Sequence, residues 1–344
     1  MKGRVLLGLL ALCVSLGANA QFFGNGPELN KLTDFKDGKF QFQSVKVIYW
    51  PQVISEGRRY VERTEKVWVP ARLYLPKSTA SKVPAMVVIH GIGGLYTRDG
   101  KKRAYWEYAE MLAENGIAAV IVDTHGARGL GVASQTAQAD VSLYTFVADA
   151  FAAADMLRSH PGIDADRIGV MGFSKGGGAT LLATDQRFVT AMSRTSSPFK
   201  VHIPIYPGCQ IFPETPQPTK APVRMLLGEK DNFTGTSGCF EIESKLKATG
   251  VSVQTTVYTG AFHSWDEDFP PIRIEDKSSE DCRWSLRDGG AVAAAGKSLT
   301  TAAESQEYLR SCLKSTEIYA GRNEPANREG RRAVLKSAID VLGN

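Results

Sequence analysis

The segment Gly172–Gly176, which reads Gly-Phe-Ser-Lys-Gly, constrains the fold of this chain more than any other feature. The apolar run Arg167–Gly172 before it is typical of a buried parallel strand. The small and then apolar residues of Gly176–Ala183 are typical of a helix packed tightly on that strand. A serine on such a sharp turn has a strained backbone, and the flanking glycines avoid collisions between a Cβ and the neighbouring chain. The turn lifts the Ser174 hydroxyl above the sheet beside the helix N-terminus, so we predict a nucleophile rather than an ordinary strand-to-helix turn.

A serine nucleophile needs a general base, because its hydroxyl is scarcely ionised at neutral pH. Of the five histidines, His263 follows a late predicted strand, Val251–Tyr258, in the loop Gly260–Trp265. Of the others, His90 lies in an oxyanion-loop pattern and His125 in a glycine-rich loop. His160 lies in a helix-ending turn, and His202 lies in a predicted strand. We therefore predict that His263 is the base, the alternative being a solvated loop histidine.

The acid that orients the base is expected at the end of the strand between the serine and the histidine. The predicted strand Arg224–Gly228 is followed at once by Glu229, Lys230 and Asp231. We favour Asp231 over Glu229, because the loop must turn before a carboxylate can face inward across the sheet. Asp266 is nearer to the base in sequence, but neighbours on one short loop rarely point at each other. The alternative is that these charges form a solvated loop.

Two backbone N–H groups are the predicted donors to the oxyanion of the tetrahedral intermediate. Lys175 directly follows the nucleophile, so its amide is placed there by the turn itself. Ile92 lies in His90–Gly94, a glycine-rich segment after the predicted strand Pro84–His90, where glycine neighbours let the chain present an amide. These glycines also suit a tight turn, and the two roles are compatible.

Four motifs together resemble the dienelactone hydrolase family of α/β-hydrolases: Gly172–Gly176, Gly228–Asp231, Gly260–His263 and His90–Gly94. The resemblance covers roughly residues 83–270, and Gly321–Asn323 with the helix after it resembles secreted members. Two departures matter. Ser174 stands where the founding enzymes have cysteine, and Gly91 stands where they have a glutamate beside that cysteine. The resemblance therefore implies serine-esterase chemistry rather than thiolate chemistry on a dienelactone.

Two further residues are candidates for substrate contacts. Arg128 lies in the loop after the predicted strand Ile117–Asp123, and the resemblance implies an arginine near here that helps to hold a substrate carboxylate. As a bidentate clamp it would favour an anionic substrate, but a salt bridge that orders the loop is the slightly favoured alternative. Trp265, beside the base, either lines the acyl pocket or packs beneath the loop.

The first twenty residues are typical of a secretory signal. A basic start, Met1–Arg4, precedes the apolar run Val5–Leu16 and the small-residue site Ala18–Ala20. The run is too short to span a bilayer, and no later segment is long enough, so no transmembrane segment is expected. We predict cleavage after Ala20, loss of Cys13 with the peptide, and a secreted or periplasmic location.

Four cysteines then remain, and an even number in an exported chain indicates disulfides, although three connectivities are possible. Cys209 and Cys239 both follow predicted strands and should lie at the carboxyl edge of the sheet. We favour Cys209–Cys239 and Cys282–Cys312, the alternative being buried or free thiols. No Cys/His spacing resembles a zinc site.

Strands and helices alternate along most of the chain, which predicts an α/β fold with a mostly parallel sheet covered on both faces. We expect one α/β-hydrolase domain over 21–344, with a core at about 42–270 and a loop-rich and helical decoration at 270–344. Alternating residues predict antiparallel strands at the N-terminal edge, over Phe42–Trp50 and Lys66–Leu75.

Three local elements complete the interpretation. Asp164–Ile168 is predicted to be a turn, Pro270–Leu299 a loop-rich excursion, and Thr300–Lys314 and Asn327–Leu342 amphipathic helices. The formal net charge is only +5, with no basic run, so no nucleic-acid partner is expected.

The residues together predict a secreted serine hydrolase that cleaves a small carboxylic ester or lactone through an acyl-enzyme, without metal or cofactor. One alternative is a prolyl-peptidase-like serine hydrolase, but only about sixty residues lie between the predicted cleavage site and residue 83, where the resemblance begins, too few for a propeller or cap domain. The other is a catalytically silent binding protein on the same fold, which is disfavoured because all three triad positions are filled.

Overall fold

The structure is a computed structural model that describes residues 38–77, 81–130, 141–287, 292–294, 296–299 and 301–343. The predicted signal peptide and its cleavage site lie outside the described residues. No helix in these ranges combines the length and the apolar character needed to cross a membrane.

Fourteen strands occur in the described ranges: β1 Gly38–Val45, β2 Lys66–Tyr74, β3 Val83–Ile89, β4 Ala118–Val122, β5 Ile163–Phe173, β6 His202–Ile205, β7 Ile211–Pro213, β8 Val223–Gly228, β9 Val253–Tyr258, β10 Ile272–Ile274, β11 Trp284–Leu286, β12 Val292–Ala294, β13 Lys297–Leu299 and β14 Ile318–Ala320. Eight of them form the central sheet in the order β1-β2-β4-β3-β5-β6-β8-β9. The strands β1, β2 and β4 pair antiparallel, and all other neighbours in this sheet pair parallel. The sheet is therefore mostly parallel with antiparallel strands at one edge, as predicted.

The helices of the described ranges are α1 Trp50–Glu56, α2 Arg58–Arg63, α3 Tyr105–Glu114, α4 Leu143–Arg158, α5 Lys175–Leu182, α6 Gln186–Met192, α7 Ser237–Ala248, α8 Ala302–Cys312 and α9 Glu324–Leu342. Several of these helices follow a residue whose side chain caps the first turn. Ser142 accepts from the Thr145 N–H ahead of α4, and Asn323 accepts from the Ala326 N–H ahead of α9. Such caps satisfy amide groups that have no partner within the helix, which fixes where each helix begins.

Alternating side chains of β3 divide the core into two layers. Val87 and Ile89 belong to the layer that packs on α4 and α5, whereas Met86 and Val88 belong to the layer that packs on α3 and α9. All seven residues of β3 are buried, because helices cover both faces of the sheet. An uninterrupted apolar run is the sequence pattern that such a strand requires.

Two of the predicted elements differ from the structure. The strand predicted over Phe42–Trp50 ends at Val45, and Trp50 begins helix α1 with a proline in its first turn. The turn predicted at Asp164–Ile168 is wrong, because these residues belong to β5. Their pairing with β3 shifts register there, so the polar residues bulge within the strand and Asp164 accepts from the Asp166 N–H.

The C-terminal decoration contains more strand than predicted. Between Pro270 and Leu299 lie short strands in two small sheets, one ordered β13-β12-β11-β7 and the other β10-β14. The parallel pairing of β7 with β11 attaches this region to the core. One disulfide lies within this region, Cys282–Cys312 with Cα atoms 5.3 Å apart, and a second, Cys209–Cys239 with Cα atoms 5.1 Å apart, lies within the core. Both separations are ordinary for a disulfide.

Candidate active site

Ser174 lies on the turn between β5 and α5 in a conformation that side chains rarely adopt, with φ 53° and ψ −114°. Its close neighbours are glycines for a steric reason. A Cβ on Gly172 would lie 2.2 Å from the Gly176 carbonyl oxygen, and a Cβ on Gly176 would lie 2.5 Å from the His90 carbonyl oxygen. Strain of this kind persists only where the surrounding chain enforces it, and it is concentrated at functional sites.

His263 lies between Ser174 and Asp231. Its Nε2 is 2.9 Å from Ser174 Oγ and its Nδ1 is 2.7 Å from Asp231 Oδ2. These distances fit the tautomer in which Nδ1–H donates to the carboxylate and Nε2 accepts from the hydroxyl. All three side chains are buried. The structure thus brings together the three residues that the sequence singled out.

Asp231 is held by the turn that it begins. Its carboxylate accepts from the N–H groups of Phe233 and Thr234 at 3.0 and 3.1 Å and from the Thr234 hydroxyl at 3.0 Å. Burial would raise its pKa, but the His263 imidazole and the Thr234 donors outweigh burial, so the pKa of Asp231 lies below its usual value. Glu229, the rival in sequence, is exposed and accepts from the Gly260 N–H instead.

The loop that carries His263 is fixed by the segment after β14. The Gly321 N–H donates to the His263 carbonyl at 3.0 Å, and the Asn323 N–H donates to the Trp265 carbonyl at 2.9 Å. Gly321 has φ 134°, and a Cβ there would lie 2.5 Å from the Pro270 carbonyl oxygen. The glycine therefore permits the close approach that fixes the backbone beside the base.

Tyr206 and Phe233 enclose the imidazole of His263. Their rings meet it edge to face, with centroids 4.9 and 5.0 Å away. Tyr206 also donates its hydroxyl to Asp266 at 2.7 Å, deep in the core. These contacts fix the plane of the imidazole before a substrate arrives.

The glycine-rich loop after β3 passes directly over the nucleophile. A Cβ on Gly91 would lie 3.2 Å from the Ser174 Cβ, and the Gly91 N–H donates to the Tyr105 hydroxyl at 3.3 Å. Ile92 follows Gly91 in this loop, and Lys175 is the first residue of α5. The two predicted oxyanion donors therefore belong to chain segments that flank Ser174 on either side.

His90, the first residue of this loop, and His125 are poor candidates for the base. Their rings meet edge to face with centroids 4.7 Å apart, and both are fully buried. Burial lowers the pKa of His90 to about 4 and holds that of His125 far below its usual value. Both imidazoles are therefore neutral at physiological pH.

Arg128, a candidate for binding a substrate carboxylate, is occupied by structural partners. Its guanidinium forms a bidentate pair with Asp149 at 2.9 and 3.0 Å. Its remaining donors reach the backbone carbonyls of Val45, Lys46 and Thr124. All five N–H donors are thereby used, and the side chain is only 5% exposed. The contacts match the alternative interpretation, a salt bridge that orders the loop, and leave no donor for a substrate.

Trp265 packs beneath the base loop rather than lining a pocket. Its ring is fully buried between those of Tyr206 and Tyr258, with centroids 5.6 and 5.1 Å away. Helix α9 closes over it at Gly330, where a Cβ would lie 2.3 Å from the indole. Of its two possible roles, the structure therefore matches core packing.

A buried pair beside the site, Arg103 and Glu267, was missed in the sequence. Arg103 Nη1 lies 3.1 Å from Glu267 Oε1. The only signal for it was the acidic run Asp266–Asp268, three to five residues after His263. Within the described ranges, no three His, Cys, Asp or Glu side chains are grouped so as to hold a metal ion.

Comparison with known proteins places the chain in a family. Residues 69–286 match the model of the dienelactone hydrolase family. A probable 2-oxo-3-(5-oxofuran-2-ylidene)propanoate lactonase from Bradyrhizobium sp. is 26% identical over 199 residues, which span 55% of this chain and 75% of that protein.

Solved structures of two hydrolases are similar to this chain, and the first of them supports the fold. A dienelactone hydrolase-like promiscuous phosphotriesterase from metagenomic libraries superposes with a TM-score of 0.53 at 14% identity, covering 88% of this chain and 98% of its own. An esterase from Thermogutta terrifontis has a TM-score of 0.45 at 19% identity, and the match covers 58% of this chain and 79% of the esterase. The match of the family model over most of the chain shows that this protein belongs to the dienelactone hydrolase family, whose members are hydrolases of the α/β-hydrolase fold.

Proposed function

We propose that this protein is an exported serine hydrolase that cleaves carboxylic esters or lactones through an acyl-enzyme. The observation that carries the proposal is the continuous hydrogen-bonded chain from Ser174 through His263 to Asp231 on a strained turn. Nucleophile, base and orienting acid within hydrogen-bond reach of one another are the arrangement that activates a serine hydroxyl.

In the acylation step, Ser174 Oγ attacks the carbonyl carbon of the substrate while His263 Nε2 takes the hydroxyl proton. Asp231, kept ionised by its donors, holds the imidazole and stabilises the imidazolium that forms. The backbone amides of Lys175 and Ile92 donate to the oxyanion of the tetrahedral intermediate. Each such donor typically contributes about 10²–10³ in turnover.

The intermediate collapses when His263 returns its proton to the leaving oxygen. With an ester the alcohol departs, whereas with a lactone the ring opens and the hydroxyl stays tethered to the acyl group. Water then attacks the acyl-enzyme with His263 as the base, and the carboxylic acid leaves as Ser174 Oγ regains its proton.

The substrate class is supported by two observations. Gly91 lies against the nucleophile, because a Cβ on it would be only 3.2 Å from the Ser174 Cβ. No carboxylate therefore accompanies Ser174 at that position, which suits a neutral serine activated by His263. In addition, the relative from Bradyrhizobium is named as a lactonase, so a lactone is a reasonable first substrate for this chain.

Export is supported by the two disulfides, because such bonds persist in oxidising compartments and are rare in the cytosol. The signal-like character of residues 1–20 agrees with this location.

The experiment is covalent labelling with a fluorophosphonate probe, followed by digestion and mass spectrometry. We expect one probe per chain, on the peptide that contains Gly172–Gly176. Ser174→Ala should abolish labelling, whereas Ser55→Ala, which changes an exposed serine on α1, should label like the wild type. A folded wild-type protein that takes up no probe would contradict the proposal and favour a silent binding protein. A labelled protein is then screened against matched esters, lactones and prolyl peptides.

A further inference from the structure

Arg103 and Glu267 connect the two loops that the proposed mechanism uses. Arg103 precedes α3 and lies beside the glycine-rich loop, and Glu267 follows His263 in the base loop. Their side chains meet at 3.1 Å, although 164 residues separate them. Glu267 is only 3% exposed and Arg103 is 20% exposed. The contact is therefore almost shielded from water.

The guanidinium of Arg103 occupies the space that a side chain at Gly93, on the oxyanion loop, would need. A Cβ on Gly93 would lie 2.8 Å from Arg103 Nη2 and 3.1 Å from its Cζ. Gly93 directly follows Ile92, whose amide is a proposed oxyanion donor. The Arg103 N–H also donates to the Leu95 carbonyl at 3.2 Å. The loop is thus held against Arg103 at two points, one by packing and one by a hydrogen bond.

Stability alone gives little reason for this pair. Taking a guanidinium and a carboxylate out of water costs as much free energy as their attraction commonly returns, and apolar replacements of similar size are often neutral. A planar guanidinium held by a carboxylate does, however, offer one fixed orientation to the backbone that packs on it. The geometry therefore suits a role in positioning the loop backbone rather than in raising the free energy of unfolding.

We propose that Arg103 and Glu267 are positioning residues that hold Gly91–Leu95 over Ser174 and align the Ile92 amide with the oxyanion. Neither residue touches the substrate, and each acts through the loop backbone. The inference rests on the proposed function, because it assumes that the Ile92 amide donates to an oxyanion. Displacing a donor by a fraction of an ångström should weaken transition-state binding more than substrate binding.

The test compares kcat and KM for a neutral nitrophenyl ester at pH 8 in Arg103→Met, Glu267→Leu and the double variant. We expect each to lower kcat about 10–100-fold, less than the loss of a whole donor, with KM within about threefold. Glu267→Gln, which can still accept from Arg103, should keep kcat within about threefold of the wild type. The double variant should recover much of the melting temperature lost by the single variants, but not kcat.

Arg158→Met is the control, since Arg158 forms a similar pair with Asp155 at 3.0 Å, with the two side chains 7% and 6% exposed, at the end of α4. It should lower the melting temperature and leave kcat unchanged. The inference is overturned if kcat recovers together with stability in the double variant, or if all variants turn over like the wild type. Fluorophosphonate stoichiometry is measured in every sample. A wild-type protein that takes up no probe would contradict the proposed function. Variants that label fully and keep the wild-type kcat would contradict only the positioning role.

Discussion

His263 Nε2 and Ser174 Oγ lie 2.9 Å apart, although 89 residues separate them in the chain. The serine is placed by the turn between β5 and α5, and the histidine by the loop after β9. That loop is in turn fixed by the Gly321 N–H. Base and nucleophile are therefore positioned by separate parts of the scaffold before any substrate binds, which spares the reaction the entropy of bringing them together.

The acid of the triad is tested by a matched pair of variants. Asp231→Asn should lower kcat by about 10⁴, because an amide no longer favours the imidazole tautomer with its proton on Nδ1. Glu229→Gln should leave kcat unchanged, since Glu229 is exposed and accepts from the Gly260 N–H rather than from His263. Steady-state kinetics on one nitrophenyl ester measures both. Equal losses in the two variants would contradict the assignment of Asp231.

The Cys209–Cys239 disulfide lies close to both ends of the triad. Gly208, next to Cys209, donates its N–H to the Ser174 carbonyl at 3.0 Å, and Cys239 lies in the first turn of α7, the helix after the Asp231 turn. The two cysteines are 30 residues apart, so closing this loop should stabilise the fold by about 3–4 kcal/mol. We expect graded reduction to lower activity before the global unfolding signal changes.

The control for that prediction is the second disulfide, replaced as Cys282→Ser with Cys312→Ser. This variant should lose stability while keeping more of its kcat than the variant lacking Cys209 and Cys239. Activity that falls only in step with unfolding, in both variants, would contradict a specific role for Cys209–Cys239.

Much of the candidate site could be predicted from the sequence, because each triad residue lies in the turn or loop after a predicted strand. Parallel strands end at one edge of the sheet, so Ser174, Asp231 and His263 could be placed together without a structure. The Arg103–Glu267 pair could not, since its partners are 164 residues apart and neither lies in a motif. Long-range contacts between ordinary charged residues leave no local pattern.

Predictions from local sequence were wrong or undecided where contacts with distant segments determine the structure. Asp164–Ile168 has the composition of a turn, and Asp164 does bond to the Asp166 N–H, yet the segment bulges within β5 because β3 continues beside it. Arg128 was ambiguous for a similar reason. Its partner Asp149 and the carbonyls that it binds come from separate segments, so the sequence could not show that its donors were all used.

Arg128 should contribute to stability rather than to substrate choice. Arg128→Ala would leave the Asp149 carboxylate buried without a partner, which typically costs about 3–5 kcal/mol. We expect KM and kcat to change alike for an anionic ester and a neutral ester of the same shape. Denaturant unfolding together with kinetics on the ester pair checks this. A KM that rises only for the anionic ester would restore a role in binding carboxylates.

The pH dependence of stability should carry a contribution from Glu267. Burial raises its pKa to about 7, with Arg103 opposing, whereas a glutamate in an unfolded chain has a pKa of about 4.3. Between these values the folded protein retains a proton that the unfolded chain has lost. This carboxyl therefore lowers the free energy of unfolding as pH rises through about 4.5 to 7.

Glu267→Gln cannot titrate and should remove that contribution. The free energy of unfolding of the wild type, relative to the variant, should fall by about 2–4 kcal/mol between pH 4.5 and pH 7.5. Urea unfolding at four pH values in this window measures the difference. Parallel curves for the two proteins would show that the Glu267 pKa is not raised in the folded state.

Covalent catalysis by Ser174 can be checked by trapping the acyl-enzyme intermediate. Wild-type protein is mixed with excess nitrophenyl acetate, quenched in acid within milliseconds to seconds, and its intact mass and digest are measured. We predict one added acetyl group per chain, on Ser174, with a matching burst of nitrophenol, and neither in Ser174→Ala. Steady turnover by Ser174→Ala at the wild-type rate, or an acetyl group carried on another residue, would contradict it.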